Sequence, residues 1–162
     1  MSLEALVKKL GDVLQERRQC LVTAESCTGG WVAKMITDVP DCSHWFERGF
    51  VTYTNRAKQE MLGVQEQTLE RFGAVSEATV REMAEGALRN SHGQVAVAIS
   101  GIAGPGGGSP DKPIGTVWLA WAGDAFETVA AHHLYDGDRD AVRRQAVADA
   151  LEGLMELVDH RT

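Results

Sequence analysis

With 162 residues, 44 % apolar and 24 % charged, the chain has the size and composition of one globular domain around one core. A chain this long buries about 70 % of its unfolded surface, so neither a metal nor a disulfide is required to fold it. The formal net charge of −7 argues against a nucleic-acid partner, whose phosphates demand a dense basic face.

Leu3, Leu6, Val7, Leu10, Val13 and Leu14 recur at helical spacing, so residues 2–18 read as an amphipathic helix capped by Ser2. Its charges distinguish it from a signal peptide, and no stretch reaches the ~20 apolar residues of a membrane span. Cys20, Cys27 and Cys42 form no C-x-x-C pair and leave one thiol over in any disulfide scheme. A cytoplasmic protein without membrane contact is expected. Cys20–Ala24 is a short apolar run, read as a buried strand, and it leads into the loop Glu25–Gly30 and a helix over Trp31–Thr37 that Pro40 terminates. Strand, glycine loop, helix is an arrangement that aims backbone N–H groups at a ligand.

Phe50–Thr54 reads as a second strand, followed by a helix from an Asn55 cap to Leu62, closed by Gly63. A short helix near Thr68–Phe72 precedes Gly73. Ser76 caps a longer helix whose Val80, Met83, Ala84, Ala87 and Leu88 share a face. Val95–Ile99 is wholly apolar, the mark of a central strand, and runs into the glycine-rich stretch 101–108. Ile114–Trp121 and Glu127–Leu134 read as a strand pair joined at Ala122-Gly123-Asp124, and Arg139–Val158 as the last helix. Helices and strands alternate first, then strands follow one another. The expected fold is therefore α/β, a single-domain three-layer α/β/α sandwich with a mixed sheet, spanning residues 1–162.

Chemistry has three candidate locations. Ser26 stands between a buried strand and a helix, where a helix dipole favours an alkoxide or oxyanion, and Thr28, Gly29 and Gly30 offer N–H groups a substrate can approach. Simple capping of the following helix by Ser26 and Thr28 explains the same residues. A serine also needs a base. The histidines nominate none: His132 and His133 are neighbours on a strand and point to opposite faces, while His44, His92 and His160 read as surface residues. Their spacing makes no metal site. Lys58, five residues after Tyr53, sits where an amine and a phenol can reach one sheet rim, although a surface lysine fits the pattern equally. The glycines of 101–108 allow an anion-binding nest or merely a tight turn, and match neither a Walker loop nor G-x-G-x-x-G. Arg139, Arg143 and Arg144 suit one small phosphate or a solvated helix face.

Together the segments AESCTGG at 24–30, YTNRAK at 53–58, GAVS at 73–76, SGIAGPGGG at 100–108, KPIGT at 112–116 and GDR at 137–139 resemble the C-terminal domain of the competence/damage-inducible protein CinA. That family includes stand-alone nicotinamide-nucleotide amidases. The resemblance implies hydrolysis of the carboxamide of nicotinamide mononucleotide to nicotinic acid mononucleotide and ammonia, with no metal or organic cofactor. It implies Ser26 as nucleophile, Lys58 as its base and Tyr53 as a third member of the hydrogen-bonded set. It further implies a substrate site built from Thr28, Gly29, Gly30, Ser100, Gly101, Gly104, Gly106, Gly107 and Arg139. Ser100 stands where many relatives have threonine, and Arg56 where an acidic residue is frequent; Arg56, if close, would help to lower the Lys58 pKa. Cys27 is a rival nucleophile, since a thiol at a helix start can be acidified. The partner expected is this small molecule alone, with a homodimer left open by Trp31, Trp45, Trp118 and Trp121. A non-catalytic nucleotide-binding module and a partner protein in DNA uptake or repair are the alternative functions.

Overall fold

The computed structural model describes residues 1–159. In chain order the elements are α1 (Leu3–Glu16), β1 (Leu21–Glu25), α2 (Trp31–Thr37), β2 (Phe46–Val51), α3 (Asn55–Leu62), α4 (Glu66–Phe72), α5 (Glu77–Arg89), β3 (Val95–Gly101), β4 (Thr116–Gly123), β5 (Phe126–Leu134) and α6 (Arg139–Asp159). The strands form one sheet in the order β2-β1-β3-β4-β5. The first three are parallel and the last two antiparallel. Helices cover both faces, giving the three-layer mixed-sheet sandwich expected. No helix among the described residues is long and apolar enough to cross a membrane.

The central strands alternate in side-chain size as well as direction. Val95, Val97 and Ile99 of β3, with Val117, Leu119 and Trp121 of β4, face the core beneath α1, α2 and α6. Ala96 and Ala98, with Ala120 and Ala122, face α5, where the small side chains let that helix lie close. All four tryptophans pack within the chain: Trp45 and Trp121 are buried, Trp31 lies beneath Arg143 and Trp118 against His132.

The fourth strand runs Thr116–Gly123 rather than Ile114–Trp121, and two further differences bear on the site. The second strand is Phe46–Val51 rather than Phe50–Thr54, paired through Leu21↔Phe46 to Glu25↔Val51. As an edge strand it carries Glu47 and Arg48 and lacks the apolar run that marks a central one. Gly49 belongs inside it because a Cβ there would lie 2.7 Å from Thr23 Oγ1. Residues Thr52–Thr54 thereby leave the sheet, and Thr54, not Asn55, caps α3 by accepting from Ala57 N.

From β1 the chain winds to β2 on one side and later returns to β3 on the other. The carboxyl ends of β1 and β3 thus flank a topological switch point, where open α/β sheets form a crevice.

Candidate active site

The crevice holds the sequence candidates from three elements. Ser26 follows the last residue of β1, donates its N–H to Ile99 O at 3.0 Å and is 7 % exposed. Lys58 comes from α3, and its Nζ lies 3.1 Å from Ser26 Oγ and donates to Thr52 O at 3.1 Å. Only 1 % of this lysine is exposed, and no ion pair among the described residues includes it. Burial disfavours the ammonium, so the Lys58 pKa is pulled below the ordinary lysine range, against a weaker opposing influence from Cys27. Arg56 is not among the causes; loss of water does the work expected of it.

Cys27 sits in the same wall, 5 % exposed, and burial pushes its thiol up to about 11 despite the nearby Arg143. A thiol with that pKa is protonated at neutral pH and is a poor nucleophile. Of the two adjacent candidates, the serine has the amine beside it.

The cleft has a volume of about 270 Å³. Ser26, Cys27 and Lys58 line it together with Tyr53, Asn55, Ala74, Val75 and the loop residues Ser100, Gly101, Ile102, Ala103, Gly104, Gly106, with Arg139 at its edge. No carboxylate is in this wall. Arg139, from the start of α6, donates to Gly104 O at 2.8 Å and to the Tyr53 hydroxyl at 2.9 Å. Tyr53 is 56 % exposed, so the structure joins it to Arg139 at the cleft mouth rather than to the Ser26–Lys58 pair.

Thr28, Gly29 and Gly30 are placed differently from the expectation. They line a neighbouring hollow with Trp31, Lys34 and Arg143. Gly29 N–H is committed to Ser26 O at 3.0 Å, while Val32 and Ala33 N–H donate to the Glu25 carboxylate at 2.9 and 3.0 Å. The start of α2 is thus capped from within the protein. Gly29 and Gly30, at φ 59° and 102°, supply the left-handed backbone that turns the chain sharply after Ser26. Gly107 also stands apart from the cleft wall, its Cβ position facing Ile102. Arg143, offered above for a phosphate, instead donates to Cys27 O and Thr28 O, and Arg144 pairs with Asp140. His132 packs on Trp118 and His133 on Tyr135, and neither lines the cleft; His160 lies outside the described residues.

Sequence reasoning did not name Glu25, Thr52 or Asn55 as site residues. Glu25 carried a signal: an acid just before a short helix start is a ready acceptor for its first N–H groups. The Thr52 carbonyl carried none, because a main-chain acceptor has no side-chain identity.

A serine beside a desolvated lysine thus stands at the switch point of the sheet, where a ligand can reach both. Residues 3–158 match the family model described as the CinA C-terminal domain, and the chain belongs to that family. It is 57 % identical over 149 residues to the Escherichia coli K12 protein named nicotinamide-nucleotide amidohydrolase PncC, covering 92 % of this chain and 90 % of that one. It is 60 % identical over 134 residues to a CinA-like protein of Akkermansia muciniphila, covering 83 % of this chain but 32 % of the longer relative. The crystal structure of the competence damage-inducible protein A from Klebsiella pneumoniae superposes with a TM-score of 0.95 at 37 % identity, over 100 % of both chains.

Proposed function

We propose that this chain is a nicotinamide-nucleotide amidase that converts nicotinamide mononucleotide and water to nicotinic acid mononucleotide and ammonia through a Ser-Lys acyl-enzyme. The observation that carries the reading is Ser26 Oγ at 3.1 Å from the amine of Lys58, a lysine 1 % exposed and in no ion pair among the described residues. Similarity over nine-tenths of a chain named for this amidohydrolase activity supports the choice of substrate.

Neutral Lys58 accepts the Ser26 hydroxyl proton as Oγ attacks the amide carbon. One of its two N–H bonds is held by Thr52 O, which keeps the lone pair turned to the serine. The Cys27 and Thr28 N–H groups, next along the chain from Ser26, are assigned to the oxyanion. One such donor contributes about 3–4 kcal/mol where this has been measured. The Lys58 ammonium then returns the proton to the leaving nitrogen, and ammonia departs. Water, losing a proton to the same amine, attacks the ester carbonyl; the proton goes back to Oγ as the C–O bond breaks. The product acid ionises to solvent. Arg139, the arginine among the described residues that line the cleft, is assigned to the substrate phosphate. The free thiols of Cys20, Cys27 and Cys42 fit work in the reducing cytoplasm.

The test is ammonia release from nicotinamide mononucleotide in the presence of chelator. Wild type is expected to turn over, and Ser26→Ala and Lys58→Ala to lose at least about 100-fold in kcat while keeping the native circular dichroism. Binding of the nucleotide without ammonia release by wild type would instead make the chain a binding module.

A further inference from the structure

Glu25 is 1 % exposed, yet no lysine or arginine lies within ion-pair distance of its carboxylate among the described residues. A buried carboxylate without a cation must be compensated by hydrogen bonds. Three supply this, and all come from the chain immediately after the nucleophile: Thr28 Oγ1 at 2.7 Å, Val32 N at 2.9 Å and Ala33 N at 3.0 Å. The carboxylate therefore draws residues 26–30 into a closed loop around itself. Thr28, itself fully buried, has its side chain turned inward by the same bond.

The main chain of Glu25 makes the second half of the link. Its carbonyl accepts Thr52 N–H at 2.8 Å, and the Thr52 carbonyl accepts Lys58 Nζ at 3.1 Å. One residue thus ties the serine loop through its side chain and the lysine's carbonyl anchor through its backbone. The groups that face the Lys58 amine are the Ser26 hydroxyl, the Cys27 thiol and the Thr52 carbonyl, with Tyr53 and Arg139 further out in the cleft.

We infer that Glu25 is a positioning residue for the nucleophile: its carboxylate fixes the 26–30 loop so that Ser26 Oγ stays on the Lys58 amine and water stays out. The inference rests on the Ser-Lys reading above. Glutamine at this position keeps the shape but brings an amide N–H₂ against one of the N–H donors of α2, and aspartate keeps the charge but is one methylene short. Either change loosens the loop, and a displacement of an ångström at reacting atoms costs on the order of 100-fold in rate.

The experiment is the steady-state kinetics of Glu25→Gln, Glu25→Asp and Thr28→Val with nicotinamide mononucleotide, from pH 6 to 9.5, beside wild type and Ser26→Ala. Proteins are normalised to folded fraction by thermal melts. Both Glu25 variants are expected to lose at least about tenfold in kcat with KM within twofold, and Thr28→Val about threefold. The acid limb of the kcat/KM profile is expected to move to higher pH in the Glu25 variants, because water readmitted to Lys58 stabilises its ammonium. A role confined to folding lowers the active fraction but leaves that limb in place. The inference is overturned if the Glu25 variants keep kcat within threefold of wild type, or if kcat falls with an unmoved limb. Should neither Glu25 variant fold, Thr28→Val decides alone: kcat equal to that of wild type, or a fall in kcat with an unmoved limb, overturns the inference. Activity retained by Ser26→Ala overturns the Ser-Lys reading instead, so the two failures are distinct.

Discussion

Two loops leave the carboxyl ends of the neighbouring strands β1 and β3, and they are built on opposite plans. In the loop after β1, Ser26 is held by Ile99 O and Gly29 N, Cys27 O and Thr28 O by Arg143, and the Thr28 hydroxyl by Glu25. From Ala103 to Gly108 in the loop after β3, the only backbone group bonded among the described residues is Gly104 O, which accepts from Arg139. Residues 105–108 are exposed, and Gly104, Gly107 and Gly108 have positive φ. The first loop is fixed in place by tertiary bonds, while the second has polar backbone left over for a ligand. Covalent chemistry needs a nucleophile placed to fractions of an ångström, and recognition of a flexible ribose phosphate tolerates a looser wall. The contrast predicts that damage on the β1 side falls on kcat and damage on the β3 side on KM.

The largest expected effect is at Lys58. Lys58→Met should lower kcat at least about 1000-fold, as loss of a general base does. It should also change how stability depends on pH. Because the folded pKa is lowered, the unfolded chain binds more protons than the folded one between the folded pKa and the ordinary value of 10.5. Wild type therefore gains stability as pH rises through that window, and a methionine does not. Melting curves at pH 7 and 9.5 should show Tm of wild type rising relative to Lys58→Met by about 2 °C or more; a gap independent of pH would show that the buried amine carries no proton linkage.

Arg139→Ala tests the other side of the contrast. Removing this arginine should raise KM for the mononucleotide about tenfold, with kcat changed less than threefold. The nicotinamide riboside, which lacks the phosphate, should be cleaved equally by wild type and variant. A loss confined to kcat would place Arg139 with the reacting atoms and erase the division of labour between the loops.

The smallest effect is expected at Cys27. Its thiol is protonated at neutral pH, so Cys27→Ala should leave kcat within about threefold and KM unchanged, with stability lowered by about 1–2 kcal/mol from the lost buried sulfur. Near-total loss of activity would move the nucleophile from Ser26 to its neighbour.

Much of the architecture was legible because it rests on local pattern. Ser2 and Ser76 cap α1 and α5 by side-chain bonds a sequence can announce, and Gly63 closes α3 at φ 73°. The apolar runs Cys20–Ala24 and Val95–Ile99 were readable as buried strands. The second strand was misplaced by four residues because an edge strand has little burial to imprint on its sequence, and its true start is set by pairing with β1. The site divided in the same way. Ser26, Lys58 and the 100–106 wall were nominated from residue type and resemblance, and the structure brings them to one cleft. Tyr53 was expected beside the lysine and meets Arg139 instead, since sequence distance along a strand end does not say which way a side chain turns.

The sequence by itself determined the elements, their order, the mixed-sheet sandwich and the residues capable of chemistry, because each depends on periodicity, capping and side-chain type within a few positions. Only the tertiary structure decided that a lysine 32 residues from Ser26 touches it, that burial pulls the pKa of that lysine below its ordinary range, and that α2 is capped by Glu25 rather than open to a ligand. Those facts depend on desolvation and on contacts between segments distant in the chain, and neither exists until the sheet has assembled and closed around them.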